Sequence, residues 1–317
     1  MICPYCLQAL TNRENTCENS TCQKMGQPLP ALYRQLHENG GPSPLAVSVV
    51  GFPGHGKTYF IASLFNIMED ILPAIWSEKG FLGRQKQFTR FALNQETIET
   101  LNMLISLYRR GELLPKTPVI FPAPSVHRLD DIPGIGDRTM ILYDPPGEAF
   151  NTIDNVKGLA SYASQSDTVV LLMSLNDLPH GDEALQMGKL LEIYINGLGE
   201  LGRTQHNKQH LLLVYTKADI VKDRFQLPPK VLDYLQSVDV PSYKSVREYR
   251  RQMKSISEAL CSFTTHELRA TGFLGNANKR FKSVEFSICS ALGTSEPGVI
   301  PEARRVLDPL LWVLDRS

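Results

Sequence analysis

Residues Leu45 to Met68 read LAVSVVGFPGHGKTYFIASLFNIM, and this stretch constrains the chain more than any other. The apolar run LAVSVV reads as a buried strand, a glycine-rich turn follows, and a helical pattern runs from Thr58 to Asp70. The turn from Gly51 to Thr58 fits G-x-x-x-x-G-K-[ST] in the strand-to-helix context that the pattern needs. Glycines let the backbone curl around phosphate oxygens, and the N–H groups of Gly54 through Thr58 are expected to point inward. Gly51, Gly54, His55, Gly56, Lys57 and Thr58 are therefore the expected phosphate cradle. In it, Lys57 reaches the β- and γ-phosphates, Thr58 holds Mg²⁺ through its hydroxyl, and the helix dipole adds its field. Pro53 has no N–H to donate. His55 is expected to use only its backbone and to turn its ring to solvent.

Three later segments separate the nucleotide classes. TMILYDPPGE reads as a strand ending in Asp144-Pro145-Pro146-Gly147. An aspartate there can hold Mg²⁺, and Gly147 can offer its N–H to a γ-phosphate. HLLLVYTKADI places Thr216-Lys217-Ala218-Asp219 after a second apolar strand. The Asp219 carboxylate can accept from guanine N1–H and the N2 amino group; adenine lacks that donor pair and would leave a buried carboxylate unpaired. Lys217 would lie along the ring face, and Thr216 would tie this loop to the cradle. In VEFSICSALGT a further strand runs into Ser290-Ala291-Leu292, where a backbone N–H could meet guanine O6.

The order GFPGHGKT, DPPG, TKAD, SAL is similar to the motif series of the TRAFAC-class P-loop GTPases, from Leu45 to about Thr294. DPPGE, the terminal RRVLDPLLWVL and the cysteine-bearing N-terminus further resemble the bacterial double-GTPase-type proteins of prokaryotic conflict (defence) systems. The resemblance implies an α/β P-loop NTPase fold of three layers with a mostly parallel sheet. It implies a GTP-hydrolysing switch that uses GTP, Mg²⁺ and a partner, either a second GTPase or an effector from the same operon. The expected division is a zinc ribbon over 1–27, a linker over 28–44 with a short helix from Pro30 to Glu38, and a GTPase domain over 45–317.

Two departures stand out. Lys57 and Asp144 are 87 residues apart, which implies an enlarged switch region over about 73–118. Its segment RQKQFTRFALNQETIETLNMLISLYRRGE looks helical, and Thr117 is the expected Mg²⁺-capping threonine, ahead of Thr89 and Thr97. Otherwise Thr117 is a strand-entry hydroxyl. Glu148 stands where a water-orienting glutamine is found in Ras-like enzymes; a catalytic role competes with a plain switch or surface role, because its charge sits near an anionic phosphate. Lys57, Glu148 and Thr117 are the candidate catalytic residues. Arg84, Arg128 and Arg138 lie in the region from which a finger would come, and no motif singles one out.

The second departure is an insertion over about 222–282. Within 241–282, Lys244, Arg247, Arg250, Arg251, Lys254, Arg269, Lys279, Arg280 and Lys282 face Glu248, Glu258 and Glu267, an excess of six positive charges. YKSVREYRRQMKSISEALCSF reads as a helix with Val246, Tyr249, Met253, Ile256 and Leu260 inward. Its basic side is a solvated face by default, with an acidic partner or nucleic acid as the alternatives.

Four of the six cysteines, Cys3, Cys6, Cys17 and Cys22, fall in the first 22 residues as C-x2-C and C-x4-C. Two such turns can present four thiolates to one tetrahedral Zn²⁺, whose binding would supply the folding energy that the short segment between them lacks. A disulfide hairpin or four unpaired thiols is the competing reading. With Arg13 and Lys24 set against Glu14 and Glu18, the ribbon has no basic face, so it docks a protein partner or caps the structure. Cys261 and Cys289 are expected to be buried and unreactive.

Lys+Arg 33 balance Asp+Glu 33, which removes a whole-chain basic field for nucleic acid. The longest apolar runs are strand-length, and the opening MICPYC shows neither the charged nor the apolar region of a signal peptide, so a cytoplasmic protein is expected. Two other functions compete with the switch: a nucleotide-bound scaffold without turnover, and an RNA- or ribosome-binding GTPase.

Overall fold

The computed structural model describes residues 1–10, 15–79, 85–201, 208–221, 224–237, 246–293 and 298–316. Arg13, Glu14, Arg84 and Lys244 lie outside the described residues.

Among the described residues, seven strands form one sheet: β1 Pro44–Val50, β4 Thr89–Ala92, β5 Ser125–Ile132, β6 Gly136–Tyr143, β7 Thr168–Ser174, β8 His210–Thr216 and β9 Ser283–Ile288. Their spatial order is β4-β5-β6-β1-β7-β8-β9. Pairing is parallel from β6 through β1, β7 and β8 to β9, and antiparallel at β4–β5 and β5–β6. This is the mostly parallel α/β sheet that the sequence predicts. Strands β7 and β8 carry runs without polar alternation, VVLLM and LLLVY, and every one of those residues is buried. Such runs belong to strands covered on both faces.

Helix α2, Lys57–Asp70, packs on α4, Gln95–Arg109. Helix α5, Ile153–Leu159, packs on α6, Glu183–Glu200, which also meets α10, Thr271–Arg280. Helix α9, Val246–His266, lies on β9 and contacts α8, Pro229–Gln236, and α11, Leu307–Asp315. The inward positions predicted for α9 are buried, apart from Val246, whose side chain is not described, and α6 buries Met187, Leu190, Leu191, Tyr194 and Leu198. Among the described residues no helix is long and apolar enough to cross a membrane.

The stretch expected to be helical from Arg84 is helical only from Gln95. Before it, β3 Gln85–Gln87 pairs with β2 Ser77–Lys79, and β4 adds an antiparallel edge to β5. The reason is local. FTRFA is aromatic and β-branched, which suits a half-covered pleated surface, and Phe88 is buried while Phe91 is exposed. Two residues past β4, Asn94 keeps extended backbone just before α4, and its Oδ1 accepts from the Val126 amide at 3.4 Å and from the Thr97 hydroxyl, so the chain changes period there.

The N-terminal segment is tied to this body. Helix α1, Ala31–Glu38, buries Tyr33 completely, and the Tyr33 hydroxyl donates to the Ile2 carbonyl at 2.9 Å. Tyr143, the last residue of β6, donates its buried hydroxyl to the Pro4 carbonyl and stacks on Tyr162 with ring centroids 3.7 Å apart. Replacing Tyr143 by Phe keeps the stack and orphans the Pro4 oxygen. The expected cost is about 1–2 kcal/mol, read as a lower urea midpoint with an unchanged slope.

Candidate nucleotide site and metal cluster

The four parallel pairings bring the ends of β1, β6, β7, β8 and β9 to one edge, with Ser48 opposite Tyr143, Val50 opposite Leu171, and Tyr215 opposite both Met173 and Ile288. The loops leaving that edge carry the candidate residues. After β1, Gly54 and Gly56 both adopt φ +83°, a left-handed backbone open to glycine, and Gly56 stands at the start of α2. A Cβ on Gly51 would lie 2.8 Å from the Leu172 carbonyl oxygen. Lys57 is buried and donates to the carbonyls of Gly51 at 2.9 Å and Phe52 at 3.1 Å. Burial lowers its pKa, and the charges of Asp144 and Glu148 oppose that shift.

His55 does not turn to solvent. The residue is 4% exposed, and its ring meets the Phe52 ring edge-on and places Nδ1 3.2 Å from the Leu172 carbonyl oxygen. Burial drives its pKa down to about 4, so the ring is neutral and Nδ1–H donates. The apolar slot between Phe52 and β7 that takes the ring has no local signal in GHGKT. The backbone carbonyl of His55 accepts from Thr216 Oγ1 at 2.9 Å, which joins the cradle to the loop after β8.

Thr58, Thr117 and Asp144 come together. Thr58 Oγ1 is 3.1 Å from Thr117 Oγ1, and Thr117 donates to Asp144 Oδ2 at 3.4 Å. Asp144 Oδ1 is shut from solvent with no hydrogen-bond partner among the described groups. Burial raises the Asp144 pKa to about 6, against the lowering pull of Lys57 and the Thr117 hydroxyl. Three oxygens from three elements, one of them an orphaned carboxylate oxygen, fit a small hard divalent cation. Gly147 follows in close contact with the cradle: a Cβ there would lie 2.4 Å from the Pro53 nitrogen. Glu148 is half-buried in the short 3-10 turn Gly147–Phe150, with its carbonyl accepting from Asn155 Nδ2 at 2.8 Å. Thr97 sits in α4 and Thr89 in β4, away from this group.

Neither described arginine candidate reaches the site. Arg128 pairs with Asp130 and Asp137, and Arg138 with the Asp137 carbonyl, near the β5–β6 turn. From there to the Asp144 end of β6 is roughly 15–20 Å of extended strand.

Beyond the cradle lies a cavity of about 160 Å³ lined by Gly56, Tyr59, Phe60, Thr216, Lys217, Asp219, Ile220, Cys289, Ala291, Leu292 and Gly293. Ser290 is buried, donates to Asp219 Oδ1, and accepts from the Gly293 amide at 2.9 Å. Lys217, at φ +58°, ion-pairs with Asp177, so its ammonium is held beside the 3-10 turn that follows β7. Tyr59, Phe60, Cys289 and Asp177 escaped the sequence reading. Tyr59 and Phe60 follow the cradle motif directly, and Cys289 directly precedes Ser290, so extending each motif by a residue or two would have found them. Cys289 is buried as expected, whereas Cys261 is only half-buried.

Cys3, Cys6, Cys17 and Cys22 bring their sulfurs within 4.8 Å of one another. All four are free thiols, with Cys3–Cys22 and Cys6–Cys17 separated by 3.9 and 3.7 Å, well beyond an S–S bond. They match the edge of a tetrahedron with metal–sulfur bonds of about 2.3 Å, which is about 3.8 Å. The hydrogen bond with Cys6 and burial raise the Cys3 pKa, burial raises Cys22 to about 12, and the bond with Cys3 lowers Cys6 to about 5. Four buried thiols cannot all ionise without a cation, and a metal such as zinc fits this group. The Tyr5 amide and Asn19 Nδ2 donate to Cys3 and Cys6 sulfurs at 3.4 and 3.6 Å, an outer layer suited to thiolates.

No protein-family model matches the chain, and no curated protein matches it. Among solved structures the chain is similar to a mutation variant of SsGBP, at 13% identity and a TM-score of 0.31, covering 82% of this chain and 52% of that one. It is also similar to the bacterial selenocysteine-specific elongation factor EF-Sec, at 14% identity and a TM-score of 0.31, covering 78% of this chain and 25% of that one. The chain thus spans about half and a quarter of those lengths, and at these scores neither likeness bears on the site.

Two outcomes are expected. Native mass spectrometry should find one zinc ion per chain, and Cys6→Ser should lose it together with part of the thermal stability. The His55 ring binds a proton near pH 4 when folded and near 6.5 when unfolded. The unfolded chain therefore takes up more protons in that window, and stability falls with falling pH by up to about 1.4 kcal/mol per unit. His55→Gln removes this slope, so its urea midpoint should approach that of wild type between pH 7 and pH 4.5.

Proposed function

We propose that the chain is a Mg²⁺-dependent guanine-nucleotide switch that hydrolyses GTP to GDP and phosphate, slowly alone and faster with a partner. The observation that carries this reading is convergence. Four loops widely separated in sequence meet at one sheet edge: the cradle, the Asp144 turn with Thr117, the Lys217–Asp219 loop and the Ser290 loop. The cradle takes the phosphates, and Lys57 exchanges its two loop carbonyls for phosphate oxygens. Thr58, Thr117 and Asp144 would hold Mg²⁺, which neutralises charge on the β- and γ-phosphate oxygens. Asp219 accepts from the guanine edge, Lys217 covers the ring, and the backbone at Ala291 and Leu292 meets O6. Gly147 and Thr117 sense the γ-phosphate, so their loops order with GTP and relax after hydrolysis.

Glu148 orients the attacking water in this reading. Among the described residues, Arg128 and Arg138 pair near the β5–β6 turn, and in this reading a partner supplies any compensating cation. The motif order, DPPGE, the terminal apolar helix and the cysteine cluster support a place beside the bacterial double-GTPase-type proteins. The partner would then be a second GTPase or effector of a conflict (defence) system. The electrostatic influence of Glu148 on Lys57, next to where phosphate would sit, favours one rival: a nucleotide-bound scaffold without turnover. An RNA-binding role is weakened by pairing along α9, where Arg250 meets Asp315 and Lys254 meets Glu258.

Equilibrium binding and single-turnover hydrolysis with Mg²⁺ test the reading. Wild type is expected to prefer GTP and GDP to ATP. Asp219→Ala should lose about 10- to 100-fold in GTP affinity while leaving ATP unchanged. Glu148→Ala should bind GTP normally and turn over more slowly. Tight GTP binding with no turnover, even with operon partners present, would favour the scaffold, and equal ATP and GTP binding would refute the role of Asp219.

A further inference from the structure

We propose that Tyr108, in α4, is a positioning residue for the base-recognising loop, its hydroxyl fixing the peptide that follows Ala291. The proposal rests on the guanine reading of that cavity. Tyr108 is 2% exposed and donates its hydroxyl to the Ala291 carbonyl at 2.6 Å. It packs with Ala62 of α2 and with Leu104, and Tyr59, Leu114 and Leu292 lie against this cluster. Tyr59 and Leu292 also line the cavity, so the outer side of the cavity wall is the α4 contact.

A trans peptide carries its C=O and the following N–H on opposite sides of one plane. Holding the Ala291 carbonyl on Tyr108 therefore fixes the plane between Ala291 and Leu292, and with it the aim of the loop at the cavity. Two further bonds tie the segment after α4 to the same region. The Gly298 amide donates to the Gly111 carbonyl at 3.2 Å, and the Leu114 amide donates to the Tyr59 hydroxyl at 3.2 Å. The approach is close: a Cβ on Gly111 would lie 2.4 Å from the Val299 carbonyl oxygen. Three residues beyond Leu114 the chain reaches Thr117 and its hydroxyl contacts with Thr58 and Asp144.

The test compares wild type with Tyr108→Phe in the full chain. It measures Mg²⁺-supported affinities for GTP, GDP, ATP and inorganic tripolyphosphate, and amide exchange over 291–293 in nucleotide-free protein. Loss of one buried hydrogen bond should weaken GTP and GDP about fivefold, leave tripolyphosphate unchanged, and speed exchange at Leu292 and Gly293. Equal weakening of tripolyphosphate and GTP would mean a general loss of structure and would overturn the proposal, as would unchanged GTP affinity with unchanged exchange. Wild type that binds ATP as tightly as GTP would refute the guanine reading. In that case the exchange rates alone decide whether Tyr108 orders the loop.

Discussion

Parallel hydrogen bonding from β6 through β1, β7 and β8 to β9 is the constraint on which the rest of the molecule depends. Backbone N–H and C=O groups inside buried strands must be paired, and a slip of one residue would turn every side chain to the other face. Register is therefore not adjustable, and the chain leaves the sheet at one edge after Val50, Tyr143, Ser174, Thr216 and Ile288. The antiparallel extension through β5 and β4 leaves that edge untouched. It absorbs the long interval before Asp144 and sends the β5–β6 turn, with its arginines, away from the site.

Within the site, polar groups have found one another. Lys57 rests on the carbonyls of Gly51 and Phe52, Thr58 on Thr117, Thr216 on the His55 carbonyl, and Ser290 on Asp219. A ligand entering such a site exchanges one partner for another, so each contact gains little unless the new partner is charged or the old geometry was poor. Asp144 is the exception, because one oxygen has no partner and burial alone pushes the carboxyl toward its neutral form. Bringing positive charge to that oxygen relieves an existing penalty, which gives cation binding there a driving force that the satisfied groups lack.

The parts legible in the sequence are those whose chemistry is local. A strand, a glycine turn and a lysine in fixed spacing specify the loop between β1 and α2 whatever surrounds it, and C-x2-C with C-x4-C specifies a thiol cluster. The place of Thr117 just ahead of the next strand also agrees with its hydroxyl meeting Thr58 and Asp144. What escaped depends on neighbours far along the chain. The ring of His55 is buried by β7, which lies more than a hundred residues away, and no local pattern near GHGKT announces it. The edge strand before α4 was hidden because residues 85–92 resemble a helix in polarity, while the decision is made by pairing with β5. Tyr108 reads as an ordinary inward residue of an amphipathic helix, and only the fold reveals that its hydroxyl meets a loop 183 residues away.

The bond from the Tyr143 hydroxyl to the Pro4 carbonyl works as a strut. Pro4 sits between two of the clustered thiols, and Tyr143 immediately precedes Asp144. The strand end that aims Asp144 is thus braced from outside the sheet by a loop whose own shape depends on its four sulfurs. Thermodynamic linkage runs equally in both directions. To the extent that the brace sets where Asp144 points, whatever fills the thiol cluster and whatever binds at Asp144 must each change the other's affinity by the same factor, although no atom is shared between them.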